Sequence, residues 1–186
     1  QDQSTIVRLC EQLGTVIGET DRTHTLVFRS TLVPGTVEDV LLPILERASG
    51  KREGMGFYVC FQPEFLREGS SIRDYDHPPF TIVGAHAEPP IVQLKHLFGH
   101  LPCDFLTTSI RAAEMVKYCC NNFHALKITF ANEVARLSEA LQVAVEDTTT
   151  LDVRTDASDP TFLSIATPPD LARRLSALPQ SYLSEQ

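Results

Sequence analysis

Apolar residues recur every three to four positions in a long stretch without Gly or Pro, from about Ile110 to Leu141. This spacing predicts a long helix, because residues three and four apart share one helical face. An apolar face is expected to pack in the core. Its members are Val116, Cys119, Phe123, Leu126, Phe130, Val134, Leu137 and Leu141.

The opposite face of this helix is polar. It carries Glu114, Lys117, Asn121, His124 and Asn132. A polar stripe opposite an apolar one is ordinarily a solvated face. Asn and His are poor helix formers, however, and their side chains both donate and accept hydrogen bonds, which suits a hydroxyl-rich ligand. We therefore interpret the stripe as the wall of a polar pocket, with a solvated face as the alternative.

Before this helix, segments of helical periodicity alternate with short apolar segments typical of buried strands. Helices are predicted at 4–18, 36–48 and 89–100, and strands at 25–30, 56–61, 80–84 and 104–109. Thr36 is predicted to cap the second helix, and residues 49–54 and 71–79 are predicted to be loops. The alternation predicts an α/β layered fold with a largely parallel sheet.

Two turns follow predicted strands and hold candidate site residues. One contains Ser30 and Thr31, and the other contains Glu64 and Glu68. Ligands of parallel sheets bind outside the carboxyl ends of the strands. Two carboxylates there could act as a base and as hydroxyl acceptors, and Lys117 could stabilise negative charge on a substrate oxygen. Each of these signals is weak by itself, since such residues are more often structural or solvated.

Composition limits the possible functions. The chain has 186 residues and a formal net charge of −8, which argues against a general nucleic-acid or anionic-membrane binder. There is no apolar run long enough for a bilayer and no signal peptide, so a cytoplasmic location is expected. The five cysteines fit no zinc spacing, so we expect reduced, partly buried thiols and no metal site. From residue 142 the chain becomes rich in Thr, Asp, Ser and Pro, and 142–186 is predicted to be a divergent tail.

Three motifs within residues 4–141 together resemble one family. They are FRSTLVPGT at 28–36, QPEFLREG at 62–69 and AEMVKYCCNNFHALKITFANEV at 113–134. In this order and separation they resemble the UDP-glucose/GDP-mannose dehydrogenase family, the nucleotide-sugar 6-dehydrogenases. The resemblance implies that 1–109 is the C-terminal part of a Rossmann-like NAD-binding domain and 110–141 a central helix. It also implies oxidation of a sugar C6 alcohol to the carboxylate with two NAD molecules, through an enzyme thioester.

The resemblance assigns roles to single residues. Thr31 matches a threonine that contacts NAD, and Glu64 a glutamate that helps water attack the thioester. Glu68 matches a glutamate at the substrate and the cofactor. Lys117 matches the lysine that stabilises the oxyanion at C6 and contacts substrate, with Asn121 as the amide beside it.

Two further positions concern the choice of substrate. His124 and Asn132 match substrate-binding positions of the enzymes in this family that use GDP-mannose. His124, within the sequence NNFHALK, favours GDP-mannose as the substrate, with UDP-glucose as the alternative. The family resemblance also implies a possible homodimer through the central helix.

The chain departs from the family pattern at two places. It has no G-x-G-x-x-G loop for the NAD pyrophosphate, since GTVIG at 14–18 lies inside a predicted helix. Residues 142–186 contain no cysteine, whereas the catalytic cysteine of the family follows the central helix. We therefore expect a partial enzyme chain. The alternatives are a non-catalytic module for nucleotide-sugar binding or dimerisation, and a truncated gene product.

Overall fold

The computed structural model describes residues 3–143, which divide into two compact units at Phe123. The helices are α1 (Ser4–Gly18), α2 (Leu42–Ser49), α3 (Ser71–Asp76), α4 (Glu88–Phe98) and α5 (Ile110–Ala140), and a π-helical turn (Val37–Leu41) leads directly into α2. The strands are β1 (His24–Phe28), β2 (Arg52–Glu53), β3 (Gly56–Phe61), β4 (Phe80–Ala85) and β5 (Asp104–Thr108). Within 3–143, no helix combines the length and the apolarity that a membrane crossing needs.

Every predicted helix and strand before residue 141 is present, with ends that differ by a few residues. The prediction of a loop at 71–79 is wrong, because α3 begins there. This short helix has no buried residue, so its sequence lacks the periodic apolar positions that would have predicted it. Its partners lie just before the helix, because Asp74 accepts hydrogen bonds from Ser70 Oγ and from the Arg67 backbone N–H, both at 3.0 Å. The predicted loop 49–54 likewise contains the two-residue strand β2.

The sheet has the strand order β1-β3-β4-β5, and β2 also pairs with β3. The pairs β1/β3, β2/β3 and β4/β5 are parallel, as predicted for most of the sheet. Strand β4 runs antiparallel to β3 and pairs with it only through Cys60↔Ala85 and Phe61↔Gly84. The carboxyl ends of β1 and β3 therefore lie at the same edge of the sheet.

Both faces of β3 are buried, which explains its continuous apolar sequence. Phe57, Val59 and Phe61 belong to the larger core cluster, which also contains residues of α1 and α2. Cys60 points to the opposite face, into a smaller cluster with residues of α4. The alternation follows from the two-residue period of a strand.

Helices α1 and α2 pack closely because α1 carries a glycine at the contact. A Cβ atom at Gly14 would lie 2.6 Å from the Cβ atom of Ala48. Lys51 fastens the end of α1, because its Nζ donates to the backbone oxygens of Ile17 (2.8 Å) and Thr20. The sequence GTVIG thus belongs to a helix–helix contact, in agreement with the prediction that it is not a phosphate loop.

The five cysteines are free thiols. Cys10 and Cys60 are buried, and burial raises the pKa of the Cys10 thiol to about 11 and that of Cys60 to about 12. Thiols with such high pKa values are poor nucleophiles. Cys119 and Cys120 are exposed on α5, so the prediction that Cys119 lies in the core is wrong.

The predicted buried face of α5 is also wrong at three positions beyond Cys119, whereas Val134, Leu137 and Leu141 are partly buried. Phe123 and Phe130 are each 42% exposed and Leu126 is 62% exposed. The buried positions at the start of the helix are Ile110, Ala113, Glu114 and Lys117. The stripe interpreted as polar therefore faces the protein over the first turns of α5.

Candidate functional site

Strands β1 and β3 end in register, with Phe28 opposite Phe61. The pairing continues one residue further, because the Gln62 backbone N–H donates to the Phe28 oxygen at 2.9 Å. Thr31 and Glu64 each follow a strand by three residues. Both predicted turns therefore leave the sheet at one edge, as a ligand site at the strand ends requires.

Lys117 is buried against the second of these turns, with a side chain that is 5% exposed. Its Nζ donates to the backbone oxygen of Glu64 and lies 3.4 Å from Glu64 Oε1. It also lies 5.2 Å from the centre of the Phe65 ring, within the range of a cation–π contact. A buried ammonium group needs such partners to offset its lost hydration. Two of the predicted site residues, Lys117 and Glu64, are therefore in direct contact, while their catalytic roles stay predictions.

Asn121 contacts the first turn, one helical turn beyond Lys117. Its Nδ2 donates to Thr31 Oγ1 at 3.1 Å. The start of α5 thus touches the carboxyl ends of both β1 and β3. Four predicted site residues therefore meet here: Lys117 and Asn121 on the helix, and Glu64 and Thr31 on the two turns.

Glu114 belongs to the same polar stripe but was not predicted to be a site residue. It is fully buried, and its carboxylate accepts hydrogen bonds from the backbone N–H groups of Gly35 (2.6 Å) and Val37 (2.9 Å). Burial raises the pKa of the Glu114 carboxyl, while the Val37 and Gly35 bonds oppose that rise. Gly35 has φ +92°, which favours glycine at this turn.

Glu114 also replaces the predicted helix cap. Thr36 precedes the π-helical turn, as expected, but its side chain makes no cap hydrogen bond. Its Oγ1 donates to the Val33 oxygen at 2.6 Å instead. The free amides of a helix start are usually satisfied by a nearby side chain. Here the acceptor comes from a distant helix, which local sequence cannot reveal.

A second polar network surrounds Arg111, near the start of α5. Its guanidinium donates to Glu38 (2.8 Å) and Asp39 (2.9 Å). His86 lies between two carboxylates, with Nε2 2.9 Å from Glu38 and Nδ1 2.8 Å from Glu53. Burial alone would lower the pKa of His86, but the hydrogen bonds to Glu38 and Glu53 outweigh it and raise the pKa. The hydrogen bond to His86 in turn holds the pKa of Glu38 low.

Glu68 lies in the exposed part of the second turn. Within residues 3–143 no hydrogen bond or ion pair joins it to the other predicted site residues. The turn itself is fixed by Arg67, whose guanidinium binds Asp74 at 2.6 and 3.0 Å. The Arg67 hydrogen bonds hold the pKa of Asp74 well below its usual range.

The last two predicted site residues, His124 and Asn132, belong to the second unit of the chain. Both are exposed positions of α5. The contacts of the described residues neither assign them to the site nor remove them from it, so their substrate-binding role stays a prediction.

A cleft lies beside the Glu64 turn. Its volume is about 340 Å³, including the part that is open to solvent. It is lined by Gln62, Glu64, Tyr75 and Phe80 among others. Among the described residues, buried Gln62 Oε1 has no hydrogen-bond partner. This acceptor can be satisfied by a small donor of the size of water.

Two family models match the chain. Residues 1–102 match the NAD-binding domain of the UDP-glucose/GDP-mannose dehydrogenase family. The chain belongs to this family. Residues 111–163 match the central domain of the same family, so the prediction that the resemblance ends at Leu141 is wrong. Nearly all of the predicted tail 142–186 lies outside the described residues.

Curated relatives and solved structures agree with this assignment. The chain is 45% identical over 138 residues to a GDP-mannose 6-dehydrogenase of Pseudomonas putida, which covers 74% of this chain and 32% of that protein. It is 38% identical to a UDP-glucose 6-dehydrogenase of Haloferax volcanii, over 70% of this chain and 32% of that protein. The structure of a ternary complex of GDP-mannose dehydrogenase from Pseudomonas aeruginosa matches with a TM-score of 0.76 and 39% identity, over 80% of this chain and 34% of that one. The chain thus spans about a third of the length of the curated relatives it matches.

Proposed function

We propose that this chain supplies part of an active site that oxidises a nucleotide sugar at C6 to the uronate with NAD. GDP-mannose is the preferred substrate, and UDP-glucose is the alternative. The observation that best supports this proposal is the buried Lys117 ammonium group on Glu64, next to the Asn121–Thr31 hydrogen bond. The 45% identity to a GDP-mannose 6-dehydrogenase supports the substrate preference.

The polar groups of the site fit one part of NAD better than another. NAD would supply the hydride acceptor of the reaction. The Thr31 hydroxyl and the Glu68 carboxylate suit ribose hydroxyls or a carboxamide, since they offer a donor and acceptors. The amides of Gly35 and Val37 do not suit a phosphate, because Glu114 already occupies them. We therefore assign Thr31 and Glu68, and not this helix start, to the cofactor.

Each catalytic residue has a distinct task in the proposed reaction. The Lys117 ammonium stabilises negative charge on the C6 oxygen, which is effective because the group is shielded from water. The Asn121 amide donates to the same oxygen. The Glu64 carboxylate accepts a proton from the water that attacks the carbonyl carbon of a thioester at C6, and the enzyme thiol leaves as the C–S bond breaks. Asn132 and His124 hold the sugar nucleotide, an assignment that rests on the motif at 113–134.

Calorimetric titration of the purified chain tests the binding part of this proposal, with GDP-mannose, UDP-glucose and NAD as separate titrants. We expect GDP-mannose to bind more tightly than UDP-glucose. Lys117→Met should weaken GDP-mannose binding by about tenfold, since a charge-assisted hydrogen bond is lost. Lys95→Met is the matched control, because Lys95 is exposed on α4 and does not line the cleft beside the Glu64 turn.

The outcomes separate the parts of the proposal. A folded chain that binds none of the three titrants contradicts it. Equal binding of the two nucleotide sugars contradicts the preference for GDP-mannose. Equal weakening by Lys117→Met and Lys95→Met contradicts the role of Lys117.

The exposed apolar face of α5 favours a second function, pairing with a second copy of the chain. Phe123, Leu126 and Phe130 recur at helical spacing and are all more than 40% exposed. Soluble proteins rarely leave a contiguous apolar patch uncovered. One helix face can pair with itself across a two-fold axis, which makes a second copy the simplest partner.

Analytical ultracentrifugation tests this pairing. We expect the unmodified chain to form a dimer and Leu126→Glu to dissociate it, because a buried unpaired charge is unfavourable. Leu97→Glu is the control, since Leu97 has a similar exposure of 58% but lies on α4. A monomeric unmodified chain, or a dimer that survives Leu126→Glu, contradicts this pairing.

A further inference from the structure

Glu114 joins two segments that are distant in the sequence. Its carboxylate is completely buried and accepts from two backbone amides, Gly35 at 2.6 Å and Val37 at 2.9 Å. Hydrogen bonds to a charged acceptor are stronger than neutral ones, and a carboxylate is favoured at the start of a helical segment. The Thr31–Val37 stretch is thus fastened to α5 from inside the protein.

The helical register extends this attachment to the proposed site. Lys117 and Asn121 follow Glu114 by about one and two helical turns, so the three side chains share one face of α5. Lys117 reaches Glu64, and Asn121 reaches Thr31. Glu114 and Asn121 therefore hold opposite ends of the same short stretch, which begins at Thr31 and ends at Val37.

Leu32 and Val37 also pack in the larger core cluster, but the other polar attachments of this stretch and of the two residues after it are more exposed. Asn121 is solvent-exposed, so water competes for its hydrogen bond to Thr31. Arg111 binds Glu38 and Asp39 with a side chain that is 53% exposed, and salt screens such ion pairs. Among these polar contacts, only the two amide bonds of Glu114 are shielded from solvent.

We propose that Glu114 is a positioning residue, which holds the Thr31–Val37 stretch against α5 and so keeps Thr31 in contact with Asn121. The importance of that contact for ligand binding rests on the proposed function. The effect of Glu114 on the contact between Asn121 and Thr31 does not depend on the proposed function, and it can be measured without any ligand.

The test compares Glu114→Gln with the unmodified chain by nuclear magnetic resonance. Gln keeps the shape of the side chain but places an NH₂ group against one of the two amide donors. We expect the Asn121 side-chain amide signals to move toward those of a solvated amide. We also expect NAD binding, measured by calorimetry, to weaken by about tenfold, the effect of losing one hydrogen bond between Thr31 and NAD.

Lys51→Met is the matched control. Lys51 also fastens backbone groups of a distant segment, the oxygens of Ile17 and Thr20, but it does not touch the Thr31–Val37 stretch. Its loss should lower the melting temperature and leave the Asn121 signals and NAD binding unchanged. If Glu114→Gln likewise lowers the melting temperature but leaves the Asn121 signals and NAD binding unchanged, Glu114 only stabilises the fold and the inference is overturned.

Two further outcomes have definite meanings. A folded unmodified chain that binds no NAD contradicts the proposed function, while the Asn121 signals still decide the role of Glu114. If Glu114→Gln does not fold, amide hydrogen exchange in the unmodified chain takes its place. Slow exchange at Gly35 and Val37 supports the inference, since amides at a helix start are otherwise free, and fast exchange overturns it.

Discussion

The two parts of α5 differ in what they bury. In residues 110–123 two charged side chains, Glu114 and Lys117, are almost completely buried. In residues 124–140 apolar side chains such as Leu126, Ile128 and Phe130 are at least 42% exposed. Helical periodicity identifies which residues share a face, but it does not determine which face is covered. That depends on whether other segments offer hydrogen-bond partners to the polar face.

The largest effect is expected at Lys117. We consider a chimera in which residues 3–143 of this chain replace the equivalent segment of the Pseudomonas aeruginosa GDP-mannose dehydrogenase. Steady-state kinetics should show that Lys117→Met lowers kcat by about 10²–10³-fold, the usual effect of removing one donor to a developing oxyanion.

The same chimera tests the role of the second part of α5, residues 124–140. We expect His124→Ala to raise KM more than it lowers kcat, because its proposed task is substrate binding. A loss of less than about tenfold in kcat for Lys117→Met would reject its oxyanion role. An unchanged KM for His124→Ala would reject substrate binding by the second part of α5.

Stability offers a second way to test the difference between the two parts. Glu114→Ala leaves two buried backbone amides without an acceptor, so we expect it to lower the free energy of unfolding by about 3 kcal/mol. Leu126→Ala should change it by less than about 0.5 kcal/mol, because Leu126 is 62% exposed. Urea unfolding at a concentration where the chain is monomeric measures both. A larger loss for Leu126→Ala would mean that the apolar face is buried in solution.

The smallest effect concerns His86, which joins the network of Arg111 at the start of α5. Because its hydrogen bonds to Glu38 and Glu53 outweigh burial, the pKa of His86 is higher in the folded than in the unfolded chain. Its stabilisation is fully present below the unfolded pKa, near 6.5, and is lost as pH rises through the folded pKa. The ion pairs are partly exposed, so the melting temperature should fall by no more than about 3 °C over this range.

His86→Gln is the variant that sharpens this measurement. Gln keeps one donor but cannot gain a proton, so its melting temperature should lack the decrease above the unfolded histidine pKa. This variant should still lose stability at acidic pH, because Arg111 still lowers the pKa of Glu38 and that carboxylate becomes protonated as pH falls. An identical pH profile in both proteins would show that His86 does not titrate in this range.

The strand ends show how far sequence reasoning reached within the site. Apolar segments bounded by turn residues correctly predicted β1 and β3, and parallel pairing then required Thr31 and Glu64 to lie at one edge. The structure brings Lys117 into contact with Glu64 and Asn121 into contact with Thr31, while the ligand-binding wall along α5 stays a prediction. Glu114 was missed because its partners are backbone amides, which look the same in every sequence.

The sequence by itself determined the order and type of the main elements, since periodicity and turn residues are local properties. It also determined the family, through three motifs with a fixed order and separation. Only the tertiary structure decided which face of α5 is covered, where α3 forms and what caps the Val37–Leu41 turn. In each case the deciding partner lies outside the segment concerned, so its contribution to the free energy cannot be deduced from the segment's own residues.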